Sequence, residues 1–261
     1  MERQLFWVAP GDARQVAVRN YLAEAGHTVT EIEKADYLVL PMPFLPEKHG
    51  LRAVLAKAKP GAVLFAGSVQ PQAYALAGEA GFLMVDYLLR EELTFYNAIA
   101  TAEGAILLLL QERKETLFGA HILIVGYGRI GKVTAHRLLA FGAKVTVAAR
   151  RPEVRAEAQG MGCNTVTVAD MGAVCPQISA VVNTVPGPVL TKEVLEQLPK
   201  TATVYDLASA PGGVDFAAAS VLGIEAGLYP ALPAKYVPVS AGAFVARSIL
   251  EMIEENKGVF S

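Results

Sequence analysis

Three glycines between residues 126 and 131 have the spacing of a phosphate-binding turn. The segment Gly126-Tyr127-Gly128-Arg129-Ile130-Gly131 follows an apolar run at 122–125 and precedes a helical pattern that Gly142 ends. The first glycine permits a tight turn, the second lets the backbone approach a pyrophosphate, and the third lets the helix pack closely on its strand. Helix amides would then face an anion. The segment predicts dinucleotide binding, and the alternative is a turn that is glycine-rich for packing alone.

Two arginines follow the next predicted strand, at 144–148. Sites that select NAD usually carry Asp or Glu about 20 residues past the glycines, to bind the ribose 2′-hydroxyl. Here the sequence reads Ala148-Ala149-Arg150-Arg151. A guanidinium donates two parallel charge-assisted bonds to a phosphate. Arg150 and Arg151 therefore favour NADP, with NAD as the alternative cofactor, unless both are solvated loop residues.

Further polar residues follow two predicted strands, where ligands of parallel sheets bind. Thr184-Val185-Pro186 follows a strand at 180–183, and we expect it over the nicotinamide ribose. The strand at 203–206 ends on the same rim, and Ser209 in its loop is a candidate substrate ligand. Gly212-Gly213 predicts a loop flexible enough to close on a ligand.

No general base is obvious. The histidines at 27, 49, 121 and 136 lie in turns, before a strand or on a helix, so a structural role is expected for each. Asp206 and Tyr236 are the preferred catalytic candidates.

Composition indicates a compact soluble protein, since hydrophobic residues make up 53% and charged residues 18% of the 261. A net charge of -2 gives no electrostatic case for nucleic acid. The longest apolar run, 105–110, is too short to span a membrane, and no signal peptide is recognisable. Cys163 and Cys175 lack metal-site spacing, so we expect reduced thiols, no metal and a cytoplasmic location.

Alternation of strand and helix patterns predicts an α/β fold of two doubly wound parallel-sheet, Rossmann-like domains joined by a long helix. Residues 1–92 are predicted to form a flavodoxin-like domain on the substrate side. Residues 93–239 are predicted to form the dinucleotide-binding Rossmann domain, with the connecting helix. The final helix, within 240–261, is expected to pack back at the domain junction.

Stretches along almost the whole chain resemble one family, the dehydrogenase-like subunits of dipicolinate synthase from endospore-forming bacteria. Besides the glycine turn they are GDARQ at 11–15, DY and REE within 86–92, NAIATAEGAI at 97–106, NTVP at 183–186, DLASAPGG at 206–213, and LP and SAG within 232–242. Pro10 stands where the family tends to have Gly, and Ala100 where it tends to have Pro. The chain is also somewhat short for the family.

The resemblance implies a dehydrogenase-like subunit that acts in sporulation. It would form dipicolinate (pyridine-2,6-dicarboxylate) from dihydrodipicolinate or 4-hydroxy-tetrahydrodipicolinate, with the hydride passing to a nicotinamide. It also implies a flavoprotein-like second subunit, and we expect an oligomer. The alternatives are another two-domain NAD(P) dehydrogenase of the D-2-hydroxy acid type, or a non-catalytic cofactor-binding partner subunit. The former needs a histidine with a carboxylate partner, which we do not find.

A dicarboxylate substrate would need cations and hydrogen-bond donors. Arg14, at the start of a helix after the first strand, is the first candidate for a bidentate contact. Ser68 follows the fourth strand and would add a hydroxyl. Asn97 and Thr101 are four residues apart on the connecting helix and share a face. The alternatives are a surface role for Arg14 and a simple turn role for Ser68.

Overall fold

The computed structural model describes residues 2–260, which divide into two compact units. Unit 1 comprises Met1–Asn97 and Pro233–Ser261, and unit 2 comprises Ala98–Leu232. A long helix, Glu91–Arg113, begins in unit 1 and continues into unit 2. Each unit holds a parallel sheet with helices packed on it. The predicted fold class is therefore confirmed.

Unit 1 is a five-stranded sheet with the order β2-β1-β3-β4-β5, in which every pair of neighbours is parallel. Its elements are β1 (Leu5–Val8), α1 (Ala13–Glu24), β2 (Thr28–Val29), β3 (Tyr37–Val39), α2 (Leu51–Lys57), β4 (Val63–Ala66), α3 (Pro71–Glu79), β5 (Leu83–Asp86), the first part of α4 (Glu91–Arg113), α9 (Leu232–Tyr236) and α10 (Pro238–Glu255). The chain runs from β1 outward to β2 and returns to β3, so the strand order reverses at β1.

The strands of unit 1 bury side chains on both faces, as parallel strands do. On one face α1 and α10 pack on Phe6 and Phe65. On the other, α2 and α3 pack on Leu38 and Leu64. Residues of β4 alternate between the two clusters, and all four are buried. The final helix thus belongs to the core of unit 1.

Unit 2 is a six-stranded sheet with the order β11-β10-β9-β6-β7-β8, again parallel throughout. Its elements are the rest of α4, β6 (His121–Val125), α5 (Arg129–Ala140), β7 (Lys144–Ala148), α6 (Pro152–Gly160), β8 (Asn164–Val166), β9 (Ala180–Asn183), α7 (Lys192–Leu195), β10 (Thr203–Asp206), α8 (Phe216–Leu222) and β11 (Glu225–Leu228). Strand order reverses between β6 and β9. Val125 pairs with Asn183 there, so the loops after these two strands are neighbours.

Some elements differ from the sequence prediction. The pattern at 28–32 predicts a strand, but only Thr28 and Val29 pair with β1. The helix α8 was not predicted, although Asp215 caps its start by accepting from the Ala218 amide at 2.9 Å and Gly223 ends it in the left-handed conformation.

Helix α4 has the length and hydropathy of a membrane span, with a mean hydropathy of 1.5 in its most apolar window. However, 56% of that window is buried inside the protein. This burial fits the core helix of a soluble protein, which passes the same test of length and composition.

Candidate functional site

The turn after β6 is built by glycines with different roles. Gly126 has φ +91°, a conformation that side chains rarely adopt, and a Cβ there would lie 2.6 Å from Thr184 Oγ1. A Cβ on Gly131 would collide with the Gly126 carbonyl oxygen. Helix α5 can therefore approach the end of β6 this closely only without a side chain at position 131.

Gly128 differs, because a Cβ at this position would meet nothing within 4 Å. It is the N-cap of α5, and its own φ of -80° suits any residue. Open space over the first turn of α5, with backbone amides at the helix start, has the form of an anion-binding cradle. The three glycines thus fit the geometry expected of a pyrophosphate site.

The turn also contains Tyr127, Arg129 and Ile130, whose side chains have different surroundings. Tyr127 is buried with its ring 5.8 Å from Lys132 Nζ, and burial raises its pKa. Ile130 packs on apolar residues of α4. Arg129 is exposed at the first position of α5.

The loop after β9 lies against the glycine turn. Thr184 donates from its amide at 2.9 Å and from its hydroxyl at 3.0 Å to the Val125 carbonyl. The Val185 amide donates to Asn183 Oδ1 at 3.0 Å, and Pro186 is exposed. The Thr184 hydroxyl therefore helps to hold the end of β9 against the end of β6. The contact of Thr184-Val185-Pro186 with the nicotinamide ribose stays a prediction.

Arg150 and Arg151 are exposed just past the end of β7. Arg151 pairs with Glu153 at 3.4 Å, while Arg150 forms no ion pair with any of residues 2–260. The sequence did not single out Arg155, which donates from Nη1 to the carbonyls of Ala149 at 2.9 Å and Arg150 at 2.7 Å. Arg155 thereby fixes the backbone that carries the two arginines.

Asp206 is fully buried at the end of β10. Its carboxylate accepts from Asn183 Nδ2 at 2.8 Å, the Ala208 amide at 3.0 Å and the Gly213 amide at 2.7 Å. These bonds tie the loop after β10 to the loop after β9. Both carboxylate oxygens of Asp206 already accept hydrogen bonds within the protein. This arrangement weighs against the prediction that Asp206 is a general base.

The loop after β10 corrects the expectation that Gly212 and Gly213 supply flexibility. A Cβ on Gly212 would collide with Asp206 Oδ2, and one on Gly213 would lie 2.5 Å from the Val185 carbonyl oxygen. Both glycines are therefore needed for close packing around the Asp206 carboxylate. Ser209 is exposed in the same loop.

Tyr236, the other catalytic candidate, ends α9 in unit 1, whereas Asp206 belongs to unit 2. It is half-buried, and Lys235 Nζ lies 4.8 Å from its ring centroid.

Arg14 is buried in unit 1, with 8% of its surface exposed, so the alternative of a surface helix residue is wrong. Its Nη2 donates to Asp12 Oδ2 at 2.7 Å and to the Met42 carbonyl at 2.8 Å. Asp12 also caps α1 by accepting from the Arg14 amide at 2.9 Å. Burial opposes ionisation of Asp12, but the hydrogen bond and charge of Arg14 hold its pKa below the usual value. Arg14 thus joins the loops after β1 and β3.

Ser68 is exposed after β4, with φ 59°, a left-handed conformation uncommon for serine. The sequence did not single out Asp86 at the end of β5, which organises this loop. Its carboxylate accepts from the amides of Ser68 at 3.1 Å and Val69 at 2.8 Å. Those amides are therefore engaged, and the Ser68 hydroxyl remains the group predicted to meet a ligand.

Asn97 and Thr101 lie on α4, and the division between the units falls between them. Asn97 is half-buried and Thr101 is buried. Glu103, further along α4, pairs with Arg137 at 3.2 Å.

Three of the histidines lie away from the carboxyl ends of strands. His27 precedes β2, His121 begins β6 and His136 lies on α5. His49 is the exception, because it lies in the segment that follows β3 and leads to α2.

Comparisons with known proteins agree with this geometry. Residues 99–210 match the NAD-binding domain of D-isomer specific 2-hydroxyacid dehydrogenases. The chain is 32% identical over 193 residues to the A subunit of dipicolinate synthase from Bacillus subtilis (strain 168), and the match covers 74% of this chain but only 65% of that relative.

Solved structures extend the similarity to the whole fold. The A subunit of dipicolinate synthase from Bacillus halodurans has a TM-score of 0.84 at 26% identity, covering 96% of this chain and 97% of the other. Its counterpart from Bacillus subtilis has the same TM-score and identity, covering 99% and 98%. A transhydrogenase from Sinorhizobium meliloti, with a TM-score of 0.77 at 15% identity over 97% of this chain and 94% of the other, shares the fold alone. The chain therefore carries an NAD-binding domain of the D-isomer specific 2-hydroxyacid dehydrogenase type, and in sequence and structure it is similar to dipicolinate synthase A subunits.

Proposed function

We propose that this chain is an NADP-preferring oxidoreductase subunit that forms dipicolinate. The observation that carries the proposal is the open turn over Gly128, at the start of α5, with Arg150 and Arg151 at the end of β7 in the same unit. The relatives are named for dipicolinate synthase, and that name supplies the product.

The cofactor half of the proposal depends on residues of unit 2. The first amides of α5 would bind the pyrophosphate, where the positive end of the helix dipole favours an anion. Arg150 and Arg151 would bind the 2′-phosphate that distinguishes NADP from NAD. Arg155 would keep their backbone in place. When bound, the nicotinamide supplies a hydride acceptor.

The proposed substrate is dihydrodipicolinate, or 4-hydroxy-tetrahydrodipicolinate after loss of water. Oxidation of the dihydro ring transfers one hydride to the cofactor and releases one proton, which leaves the aromatic pyridine ring. Since aromatisation is strongly favourable, that proton can pass to water without a dedicated base. This suits a site in which Asp206 is held by three donors.

We further propose that Arg14, Ser68, Asn97, Thr101 and Ser209 include the groups that bind the substrate carboxylates. The proposal also includes a cytoplasmic oligomer that acts in sporulation with a flavoprotein-like second subunit. A hydroxy-acid dehydrogenase would need a base for the hydroxyl proton. In unit 2, His121 begins β6 and His136 is exposed on α5, so neither lies at a strand carboxyl end.

A spectrophotometric assay tests the proposal. Freshly prepared lysine-pathway precursor is mixed with NADP or NAD, with and without the second subunit, and the reduced nicotinamide and dipicolinate are measured together. Equal amounts of both products, formed faster with NADP and abolished by Gly128→Val, would support it. Oxidation of D-lactate instead would favour a hydroxy-acid dehydrogenase. Cofactor binding without turnover, even with the second subunit, would favour a non-catalytic role.

A further inference from the structure

Unit 1 contains a cavity of about 590 Å³ that the proposed function does not use. It lies where the strand order reverses, because Pro10 and Pro41, which follow β1 and β3, form part of its wall. Ligands of open parallel sheets bind at the carboxyl ends of strands, at such a reversal. Its volume falls within the range of about 300–1,000 Å³ typical of small-molecule sites.

The wall of this cavity is apolar with cationic groups, and none of the described residues that line it carries a carboxylate. Trp7 contributes an indole ring, and Lys48, His49 and Lys57 contribute nitrogen groups. Neither Lys48 nor Lys57 forms an ion pair with any of residues 2–260, whereas the nearby Lys59 pairs with Asp36 at 2.6 Å. Two lysines without an ion-pair partner among these residues therefore give the lining a positive charge, which attracts an anion.

His49 has a fixed orientation at this wall. Its Nδ1 accepts from the Leu45 amide at 3.0 Å, and its ring stacks on Phe44 at a centroid distance of 5.5 Å. A neutral imidazole that accepts at Nδ1 carries its proton on Nε2. His49 is therefore pre-set to donate a hydrogen bond from Nε2.

From this combination we infer that the cavity binds a planar aromatic carboxylate. Its ring would lie against Trp7, and its carboxylate would be held by Lys48, Lys57 and His49. An indole wall favours a flat ring by stacking, while two ammonium groups and one imidazole donor favour the carboxylate. The inference is independent of cofactor binding, because every residue involved belongs to unit 1.

Trp7 is the single tryptophan of the chain, so intrinsic tryptophan fluorescence reports on the cavity directly. The protein without nicotinamide is titrated with pyridine-2-carboxylate, pyridine-2,6-dicarboxylate and benzoate, with free tryptophan as the absorbance control. Benzamide and cyclohexanecarboxylate are the matched ligands that lack the charge and the flat ring. We expect a saturable change with the aromatic carboxylates, and binding at least tenfold weaker for both matched ligands.

Variants then assign the binding to the proposed residues. Replacing both Lys48 and Lys57 by Gln should weaken binding at least tenfold, because the double variant removes both ammonium partners of the carboxylate. Lys59→Gln is the control, because Lys59 does not line the cavity, and it should bind like the unmodified chain. No saturable change, equal binding of benzamide, or undiminished binding by the double variant would each overturn the inference. None of these results would affect the NADP assay.

Discussion

At the scale of single residues, two glycines of the same turn have different roles, one in folding and the other in ligand binding. A methyl group on Gly131 would meet the Gly126 carbonyl oxygen, whereas one on Gly128 would meet open space. The first position constrains how the protein folds, and the second constrains what can approach it.

We therefore predict that one substitution lowers mainly the stability of the protein and that another lowers mainly its affinity for the cofactor. Gly131→Ala should lower the free energy of unfolding by about 1–3 kcal/mol, as overpacked sites do. Gly128→Val should change stability by no more than about 1 kcal/mol, the scale of an N-cap preference, but should abolish detectable binding of reduced NADP. Chemical denaturation and fluorescence titration measure the two quantities. Normal cofactor affinity in Gly128→Val would mean that the pyrophosphate lies elsewhere.

Arg150 is the residue on which cofactor choice most directly depends. Its side chain is exposed, and Arg155 holds its backbone. Arg150→Ala should weaken NADP binding about tenfold or more, the effect of one charge-assisted contact, and leave NAD binding unchanged. Calorimetry with both cofactors measures this, with Lys200→Ala, elsewhere in unit 2, as the control. Equal affinities of the unmodified chain for NADP and NAD would rule out a phosphate-reading role.

At the scale of elements, the Asp206 carboxylate connects the loop after β9 with the loop after β10. The sequence gives the order of these loops along the chain but not the contact between them. Asp206→Asn replaces one acceptor oxygen by a donor that faces amide donors. We predict a loss of about 1–3 kcal/mol in the free energy of unfolding, the cost of leaving a buried group unpaired. Asp215→Asn is the matched control, because Asn caps a helix about as well as Asp. Lost turnover at unchanged stability would instead favour a catalytic Asp206.

Arg14 connects elements of unit 1 in a similar way. Arg14→Ala removes the partner of Asp12 and of the Met42 carbonyl, so thermal denaturation should show a less stable protein at neutral pH. Since the folded pKa of Asp12 is lowered, its share of the stability is present above about pH 4 and is lost as pH falls through the folded pKa. The difference in stability between the unmodified protein and Arg14→Ala should therefore become smaller in acid. A stability difference that stays constant with pH would show that the Asp12–Arg14 ion pair does not contribute to stability.

Sequence patterns predict the elements better than the contacts between them. The bounds of β1, β7, β9 and β10 follow from short apolar runs, and the glycine turn follows from spacing. A carboxylate at a strand end, however, has the same pattern whether it is free for catalysis or bonded to amides from a distant loop. Asp86 and Asp206 are bonded in this way, and Gly212-Gly213 packs tightly for the same reason.

At the scale of the whole molecule, each unit has its own buried core. Cys175 lies in that of unit 2 with no exposed surface, and its Sγ is 3.3 Å from the Met171 carbonyl oxygen. Burial disfavours the thiolate and raises the pKa of Cys175 to about 11. The thiol also donates weakly to that carbonyl, which the thiolate cannot do. The folded protein therefore keeps a proton that the unfolded chain releases near pH 9.

This difference predicts how stability depends on alkaline pH. Between about pH 9 and pH 11 the unfolded chain binds fewer protons than the folded one, so the free energy of unfolding must fall as pH rises. Cys175→Ala lacks this ionisation but shares the other titrating groups. Urea denaturation of both proteins near pH 8 and near pH 11 should show the unmodified chain losing about 2 kcal/mol more than the variant, as expected for a shift of about two pKa units. Equal losses would mean that the thiol reaches water in the folded protein, and its reaction with a thiol reagent under native conditions would then be fast.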